Sequence, residues 1–339
     1  MKNIMIKSSL VGVMLATMLT STFANVQLKD ISPAKNEQMV TISFAGDCTL
    51  GSFKGSAHKF DSYFDNYGAD YFLENVRPIF ENDDITFVNL EGPLTDNPQQ
   101  VVKEFPMKGE PAYVDILKNS SVEIVNLSNN HILDCGEKGL RDTVDVLQHN
   151  NVNCCGEDYV TGYVVDDITV YFLGYKGWQD TTELRNKIAE DIKVCKEVYG
   201  ADIVCVEFHW GEERKYYPNE TQMSLGRYTV SCGADVVVGA HPHVVQGIEK
   251  YNGKVIAYSL GNFCFGGNDN PKDKDSMILQ VTLNKNGDIL DTYVIPCTVS
   301  SVDNTNDFKP TPWYDTDKGV GILNRIIEYS AGFENKIDW

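Results

Sequence analysis

Side chains able to bind a metal ion follow five short apolar segments of the chain. They are Asp47, Glu91, Asn130, His131, His209, His241 and His243. Carboxylates, imidazoles and amide oxygens are ligands of divalent transition metals such as Zn, Mn or Fe. Four of the six histidines occupy these positions. The pattern therefore predicts a metal centre whose ligands come from separate parts of the chain.

His241 and His243 are the strongest single indication of metal binding. On extended backbone, residues two apart project to the same side, so both imidazoles can reach one ion. The other residues have simpler explanations when each is taken alone: Asp47 after a strand is commonly a helix N-cap, and Asn129-Asn130 is a common turn sequence. Because such residues recur after five segments, we interpret them together as one site.

The surrounding elements alternate between β-rich apolar segments and amphipathic helical patterns, which is typical of a layered α/β fold. Strands are predicted at 40–45, 85–90, 122–127, 203–208 and 235–239, and helices at about 70–81, 111–118, 137–149, 184–199 and 220–232. Further strands are predicted at 254–260, 277–283 and 289–294, and a last helix at 319–333. Sites in open α/β sheets form beyond the carboxyl ends of strands, where the candidate ligands lie.

Acidic side chains dominate the charge of the chain. There are 48 acidic and 29 basic side chains, and the formal net charge is −19. This balance excludes a nucleic-acid partner, because nucleic-acid binding requires a basic face. The content of 42% hydrophobic and 11% aromatic residues excludes a disordered chain.

Residues 1–24 have the pattern of an export signal. Lys2 and Lys7 precede an apolar run at 10–19, and Thr22-Phe23-Ala24 provides small residues for cleavage before Asn25. An uncleaved N-terminal anchor is the alternative. We therefore expect an exported protein that is secreted or held at the cell surface. The nine cysteines include no CxxC pair, so a thiolate zinc site is not indicated.

Five motifs resemble the calcineurin-like metallophosphoesterase superfamily and, within it, the bacterial CapA/PgsA-type poly-γ-glutamate capsule proteins. They are Phe44-Ala45-Gly46-Asp47, Asn89-Leu90-Glu91-Gly92, Ser128-Asn129-Asn130-His131, Phe208-His209-Trp210-Gly211 and Ala240-His241-Pro242-His243. The resemblance runs from about residue 40 to 300. It implies a CapA-like domain at 40–300. Together with the residue pattern at 1–24, this divides the chain into a signal peptide or anchor (1–24), a linker (25–39), the domain (40–300) and a C-terminal connector and helix packed on that domain (301–339).

The resemblance also implies a four-layer α/β/β/α sandwich with one or two divalent transition-metal ions at one edge. Asp47 would bind the first ion and Glu91 would bridge both. Asn130, His209 and His241 would bind the second ion. His243 would bind the first ion together with Asp47. The superfamily usually has His where this chain has Thr49, and Asp where it has Glu91, so the first-metal site lacks one ligand and one firmly bound ion is expected.

A hydrolytic site of this kind needs a proton donor and positive charge. The resemblance assigns the donor role to His131, and Asp134 either fixes the tautomer of His131 or caps the loop. Lys108, Arg214 and Lys215 are candidates for binding an anionic substrate, although Arg214 and Lys215 are equally compatible with a solvated loop.

Two functions are consistent with these features. The first is a metal-dependent hydrolase acting on an anionic cell-envelope polymer, such as poly-γ-glutamate, or on a phosphoester. The second is a non-catalytic subunit for capsule assembly, export or tethering that keeps a metal site and binds membrane capsule-synthesis subunits. The first function is favoured by the intact residues Asn130, His131, His209, His241 and His243. Thr49, in place of the usual histidine, favours the second.

Overall fold

A computed structural model describes residues 38–53, 57, 59–98 and 101–334. The predicted signal or anchor at 1–24 and all but the end of the linker at 25–39 lie outside these residues. The strands, in chain order, are β1 Met39–Thr49, β2 Ser52–Phe53, β3 Ile85–Leu90, β4 Met107–Lys108, β5 Ile124–Asn126, β6 Asn153–Cys155, β7 Thr161–Val165, β8 Ile168–Gly177, β9 Ile203–Trp210, β10 Val236–Ala240, β11 Ile248–Tyr251, β12 Lys254–Ala257, β13 Asn262–Phe265, β14 Asp275–Asn284, β15 Ile289–Thr298 and β16 Thr311–Pro312. The helices are α1 Lys59–Tyr67, α2 Arg77–Phe80, α3 Val114–Lys118, α4 Gly136–His149, α5 Thr182–Lys193, α6 Glu220–Ser231 and α7 Asp317–Tyr329.

Two mixed sheets form the centre of the fold. The first has the order β16-β15-β14-β1-β3-β5-β6, with β13 also paired to β1. The second has the order β11-β12-β10-β9-β8-β7. The strands β1, β3, β5 and β6 are parallel, as are β8, β9, β10 and β12. The parallel strands of each sheet therefore direct their carboxyl ends to one edge.

The central strands β1, β3, β9 and β10 are buried almost throughout, so side chains on both faces of each sheet pack into cores. In β9, Ile203 and Cys205 lie in the core between the sheets, whereas Val204 and Val206 pack toward α5 and α6. A third core lies between the first sheet and α1, α3 and α4. One core lies between the two sheets, and one lies between each sheet and its helices. This arrangement confirms the predicted four-layer α/β/β/α sandwich.

The C-terminal helix α7 lies at the end of the inter-sheet core rather than in a helical layer. Its Ile322 and Ile326 are fully buried in that core, and the helix contacts β15 and β11. Thr316 caps it by accepting a hydrogen bond from the Gly319 N–H at 3.0 Å. Among the described residues, no helix is long and apolar enough to cross a bilayer.

The single helix predicted at 70–81 is wrong, because the structure has two shorter helical segments there. Residues Ala69–Tyr71 make a short 3₁₀ turn, and only Arg77–Phe80 are α-helical. Pro78 explains the interruption, because proline lacks the N–H needed inside a helix and is tolerated only in its first turn. The helix before it, α1, was not predicted.

All nine cysteines lie in the described residues, and none of them forms a disulfide bond. All except Cys232 are buried, and burial raises the pKa of the Cys48 thiol to about 12. They therefore act as small apolar side chains, as their positions in apolar segments indicate.

Candidate metal centre

The metal-binding residues predicted from the sequence meet where the two sheets direct their strand ends to the same place. Asp47 lies near the end of β1, and Glu91 directly follows β3. The second sheet contributes His209 within β9, and His241 and His243 directly after β10. Since parallel strands align their carboxyl ends, residues distant in sequence are brought within bonding distance.

Asp47 reaches the centre because β1 continues past the end of its predicted strand. A register shift between Ala45 and Asp47 changes the pairing of β1 with β3, and the Asp47 N–H donates to the Gly261 carbonyl at 3.0 Å. A side chain at Gly46 would place its Cβ 1.9 Å from that carbonyl oxygen. Glycine at position 46 is therefore required for the close approach that holds Asp47 in place.

His241 and His243 do not lie on extended backbone, so that expectation is wrong. Their φ angles are 93° and 58°, which places both in the left-handed region that non-glycine residues rarely adopt. The two rings nevertheless converge, with centroids 5.7 Å apart. Strained backbone of this kind concentrates at functional sites, and here a tight turn rather than a strand directs the two imidazoles.

The ligand atoms form two groups that share one carboxylate. Glu91, His209 and His241 make the first group, and in each group the ligand atoms lie within 4.8 Å of one another. Asp47, Glu91 and His243 make the second. Asn130 belongs beside the first group, because its Oδ1 lies 2.8 Å from His209 Nε2. This is the arrangement expected of Glu91 as a bridge between two positions.

Two unpaired atoms show that these residues fit a cation. Glu91 Oε1 and His241 Nδ1 are buried, and neither has a hydrogen-bond partner among the described residues. Glu91 Oε1 also lies 3.5 Å from His209 Nε2 and 3.9 Å from His243 Nε2. Buried polar atoms are rarely left unsatisfied, and a divalent metal ion would satisfy both of these.

The charges of the site depend on burial and on the two carboxylates. Burial opposes ionisation of Asp47, but its hydrogen bond to His243 and the charge of that imidazole lower the pKa to about 2. Burial also opposes protonation of His243, yet Glu91 and Asp47 raise its pKa to about 10. Burial lowers the pKa of His241 to about 4 and that of His209 well below its usual value. Both imidazoles are therefore neutral at pH 7, the form in which a histidine can bind a metal ion.

Three further residues hold the ligands in position, and sequence reasoning gave none of them this role. Asn89 Nδ2 donates to Asp47 Oδ1 at 2.7 Å. Thr49 Oγ1 donates to Glu91 Oε2 at 2.9 Å, so it orients the bridging carboxylate. Asn262 Oδ1 lies 2.8 Å from His243 Nδ1. Asn89 lies within the second of the five motifs, which was the available signal for it.

Residues 41–267 match the family described as the bacterial capsule synthesis protein PGA_cap. The chain belongs to this family. It is 32% identical over 272 residues to the PGA biosynthesis protein CapA of Bacillus subtilis strain 168, covering 74% of this chain and 70% of that protein. It is 30% identical over 297 residues to the capsule biosynthesis protein CapA of Bacillus anthracis, covering 79% and 70%. A more distant likeness, at 12% identity and TM-score 0.43, links it to a 5'-nucleotidase structure from Candida albicans, covering 88% of this chain and 58% of that one.

His131 and Asp134 form a hydrogen-bonded pair beside the shared carboxylate of this family member. His131 Nδ1 lies 2.7 Å from Asp134 Oδ2, and its Nε2 lies 3.9 Å from Glu91 Oε1. Asp134 Oδ2 also accepts a hydrogen bond from the Met107 N–H at 2.7 Å. Asp134 therefore both orients the imidazole and anchors the neighbouring loop.

The three cations predicted to bind substrate are not in contact with this pair among the described residues. Arg214 and Lys215 are exposed, although the Arg214 N–H donates to the Pro242 carbonyl at 2.8 Å and so ties their loop to the histidine turn. Lys108 is half-buried in β4. The cation that contacts His131 and Asp134 is Lys103, which sequence reasoning missed.

Trp178, which directly follows β8, covers the histidine side of the centre. Its ring lies edge-on to His241 at 4.6 Å and to His209 at 5.7 Å between centroids. The side chain stays 42% exposed. It therefore provides an aromatic surface beside the two histidines.

Proposed function

We propose that this protein is an exported, metal-dependent hydrolase of capsule or poly-γ-glutamate metabolism, acting on an anionic polymer or a phosphoester. The observation that carries the proposal is the pair of ligand groups sharing Glu91, with His131 hydrogen-bonded to Asp134 next to them. The names of the two Bacillus relatives supply the capsule and PGA context.

The roles of the residues follow from their contacts. Asp47, Glu91 and His243 would hold one ion, and Glu91, Asn130, His209 and His241 would hold the other. A divalent ion lowers the pKa of bound water toward about 7 and polarises the bond under attack. Asp134 accepts from His131 Nδ1, so Nε2 is the nitrogen that faces the centre and delivers a proton to the leaving group.

The test is turnover of phosphodiesters, phosphomonoesters and poly-γ-glutamate by the purified protein with added manganese or zinc. We expect hydrolysis of at least one substrate, and a loss of about 10²–10⁴-fold in His131→Ala with its metal content unchanged. Inactivity of the wild-type protein on all three would contradict the proposal.

A second function is favoured by one specific observation. Thr49 stands where the superfamily usually has a histidine ligand, and its hydroxyl is engaged with Glu91. A protein that binds a metal ion but does not catalyse hydrolysis could serve as a subunit for capsule assembly, export or tethering. Co-purification with membrane capsule-synthesis subunits, together with inactivity on all three substrates, would support this alternative.

Export is part of the proposal and rests on the pattern of residues 1–24. We expect the mature protein outside the cytoplasmic membrane, beginning at Asn25 if the signal is cleaved. N-terminal sequencing of the protein from medium, cell-wall and membrane fractions distinguishes a cleaved signal from a retained anchor. Recovery of the full-length chain in the cytoplasm alone would contradict export.

A further inference from the structure

Lys103 is a cation at the edge of an acidic site, and its ammonium group contacts the Asn130 backbone, Asp134 and His131 rather than a carboxylate or imidazole of the two ligand groups. Its Nζ lies 2.9 Å from the Asn130 carbonyl, 3.0 Å from Asp134 Oδ1 and 3.0 Å from His131 Nδ1. The side chain is 30% exposed. A molecule entering from solvent can therefore reach this ammonium group.

The hydrogen bonds of Lys103 leave capacity for another acceptor. An ammonium has three N–H donors. The Asn130 carbonyl and Asp134 Oδ1 accept two of them. His131 Nδ1 is not a third acceptor, because it donates its own proton to the Asp134 carboxylate at 2.7 Å. Among the described residues, one donor of Lys103 has no acceptor.

The position of Lys103 is fixed by the loop that carries it. The Val101 N–H donates to the Asp134 carbonyl at 2.8 Å, and the Met107 N–H donates to the Asp134 carboxylate. The backbone is thus tied to Asp134 on both sides of Lys103. A lysine held in this way loses less side-chain entropy on binding an anion than a freely moving surface lysine.

We propose that Lys103 binds an anionic group of the substrate that is attached next to the bond being cleaved. This rests on the proposed function, since it places the anion beside the leaving group that His131 protonates. In poly-γ-glutamate, the leaving nitrogen is the α-amino nitrogen of the following glutamate, and the α-carbon of that residue also carries a free carboxylate. A proton donor with an adjacent ammonium therefore matches the nitrogen and the carboxylate of one γ-glutamyl unit.

The negative charge of the site makes the positive charge of Lys103 important for binding an acidic polymer. Asp47, Glu91 and Asp134 are all buried carboxylates, so an acidic polymer would be repelled from the site unless local positive charge offset them. A bound metal would offset Asp47 and Glu91. Among the cations of the described residues, Lys103 is the one that contacts His131 and Asp134, so it is the candidate partner for an anion on that side. Arg214 and Lys215 lie on the loop beside the histidine turn instead.

The experiment measures binding by calorimetry, using the full chain loaded with manganese. The probes are a short γ-glutamyl oligomer, the same oligomer with its α-carboxylates converted to amides, and inorganic phosphate. We expect Lys103→Met to weaken binding of the acidic oligomer about tenfold or more, since a hydrogen bond to a charged group is lost. Metal content and binding of the amidated oligomer should be unchanged.

Two further variants provide controls. Lys103→Arg keeps the charge and should retain most of the affinity. Lys138→Met removes an exposed lysine that also pairs with an aspartate, Asp142, and should bind like the wild type. This control separates local recognition by Lys103 from a general change in net charge.

Several results would overturn the assignment. For Lys103→Met, these are an unchanged affinity for the acidic oligomer, equal losses of affinity for the acidic and amidated oligomers, or a loss of affinity confined to phosphate. An equal loss of affinity in Lys138→Met would also overturn it, as would a wild type that does not bind the acidic oligomer. The proposed function fails separately: a wild type that binds the acidic oligomer through Lys103 but cleaves no substrate would contradict only the hydrolase.

Discussion

Glu91 belongs to both ligand groups, and its environment suits a metal ion better than an empty site. Burial and the charge of Asp47 raise the pKa of this carboxyl above its usual value. Its Oε1 has no hydrogen-bond partner among the described residues. A bound cation reverses both effects, because it supplies the charge and the contact that the carboxylate lacks.

Replacing Glu91 with glutamine should therefore separate stability from metal binding. We expect Glu91→Gln to raise the free energy of unfolding of the metal-free protein by roughly 0.5–2 kcal/mol. The same variant should lose most of its metal, since the shared ligand is gone. Thermal unfolding in chelator, together with metal analysis, checks both. Thr49 can still donate to the amide oxygen, so a less stable metal-free variant would contradict this account.

The pH dependence of metal binding should follow His243. Its pKa is raised to about 10 in the metal-free protein, so it carries a proton at pH 7 that must leave before the imidazole can bind a metal. His241, with a pKa lowered to about 4, is already neutral there. We therefore expect metal affinity to rise between about pH 6 and pH 9.

Calorimetry in buffers of different ionisation enthalpy measures the protons released. About one proton should leave per metal bound at pH 7 in the wild type, and the release should disappear in His243→Asn. A metal affinity that does not change across this pH range would show that His243 is not a ligand.

At the scale of elements, the contact between β1 and the segment before β13 positions the first ligand. Gly46→Ala would force a Cβ toward the Gly261 carbonyl, and overpacking of this kind typically costs about 1–3 kcal/mol. We expect lower stability and weaker metal binding together, because Asp47 moves with the strand. Chemical denaturation and metal titration test this.

Gly321→Ala in α7 is the matched control. The added methyl there meets nothing closer than 3.5 Å, and alanine is favoured over glycine inside a helix by up to about 1 kcal/mol. Stability should be equal or higher, with metal binding unchanged. If the stability and metal binding of Gly46→Ala match those of this control, then β1 tolerates displacement of Asp47, which would contradict the account.

Strong local patterns allowed several elements to be predicted from the sequence. The strand at 85–90 and the hairpin turn at Asn286-Gly287 are found as predicted, because β-rich runs and a turn dipeptide are local signals. The helix α1 was missed although Phe60, Tyr63, Phe64 and Tyr67 have helical spacing. Its apolar residues are all aromatic, and aromatic residues are weaker helix formers than alanine or leucine.

The ligands could be predicted because each ends or follows a recognisable strand. Lys103 and Trp178 could not, since both lie in loops with no pattern of their own. Their proximity to His131 and His241 depends on how the two sheets meet, which is a long-range property. The same holds for the turn at His241 and His243, whose positive φ angles no local signal indicated.

For the whole molecule, the net charge of −19 should govern how an acidic polymer approaches. Long-range repulsion is strong at low salt, where the Debye length is about 30 Å at 0.01 M, and weak at 0.15 M, where it is about 8 Å. We expect the affinity of the metal-loaded protein for a γ-glutamyl oligomer to rise across this interval. The amidated oligomer should respond little, and a steep fall with salt would contradict this expectation.

The central claim is that the strand ends of the two sheets build a metal centre, and metal analysis of the purified protein tests it most directly. We expect at least one tightly held divalent transition metal per chain in the wild type. His209→Ala and His241→Ala should lose it while keeping the circular dichroism of the wild type. A wild-type protein that folds normally, contains no metal and takes up neither manganese nor zinc would contradict the account.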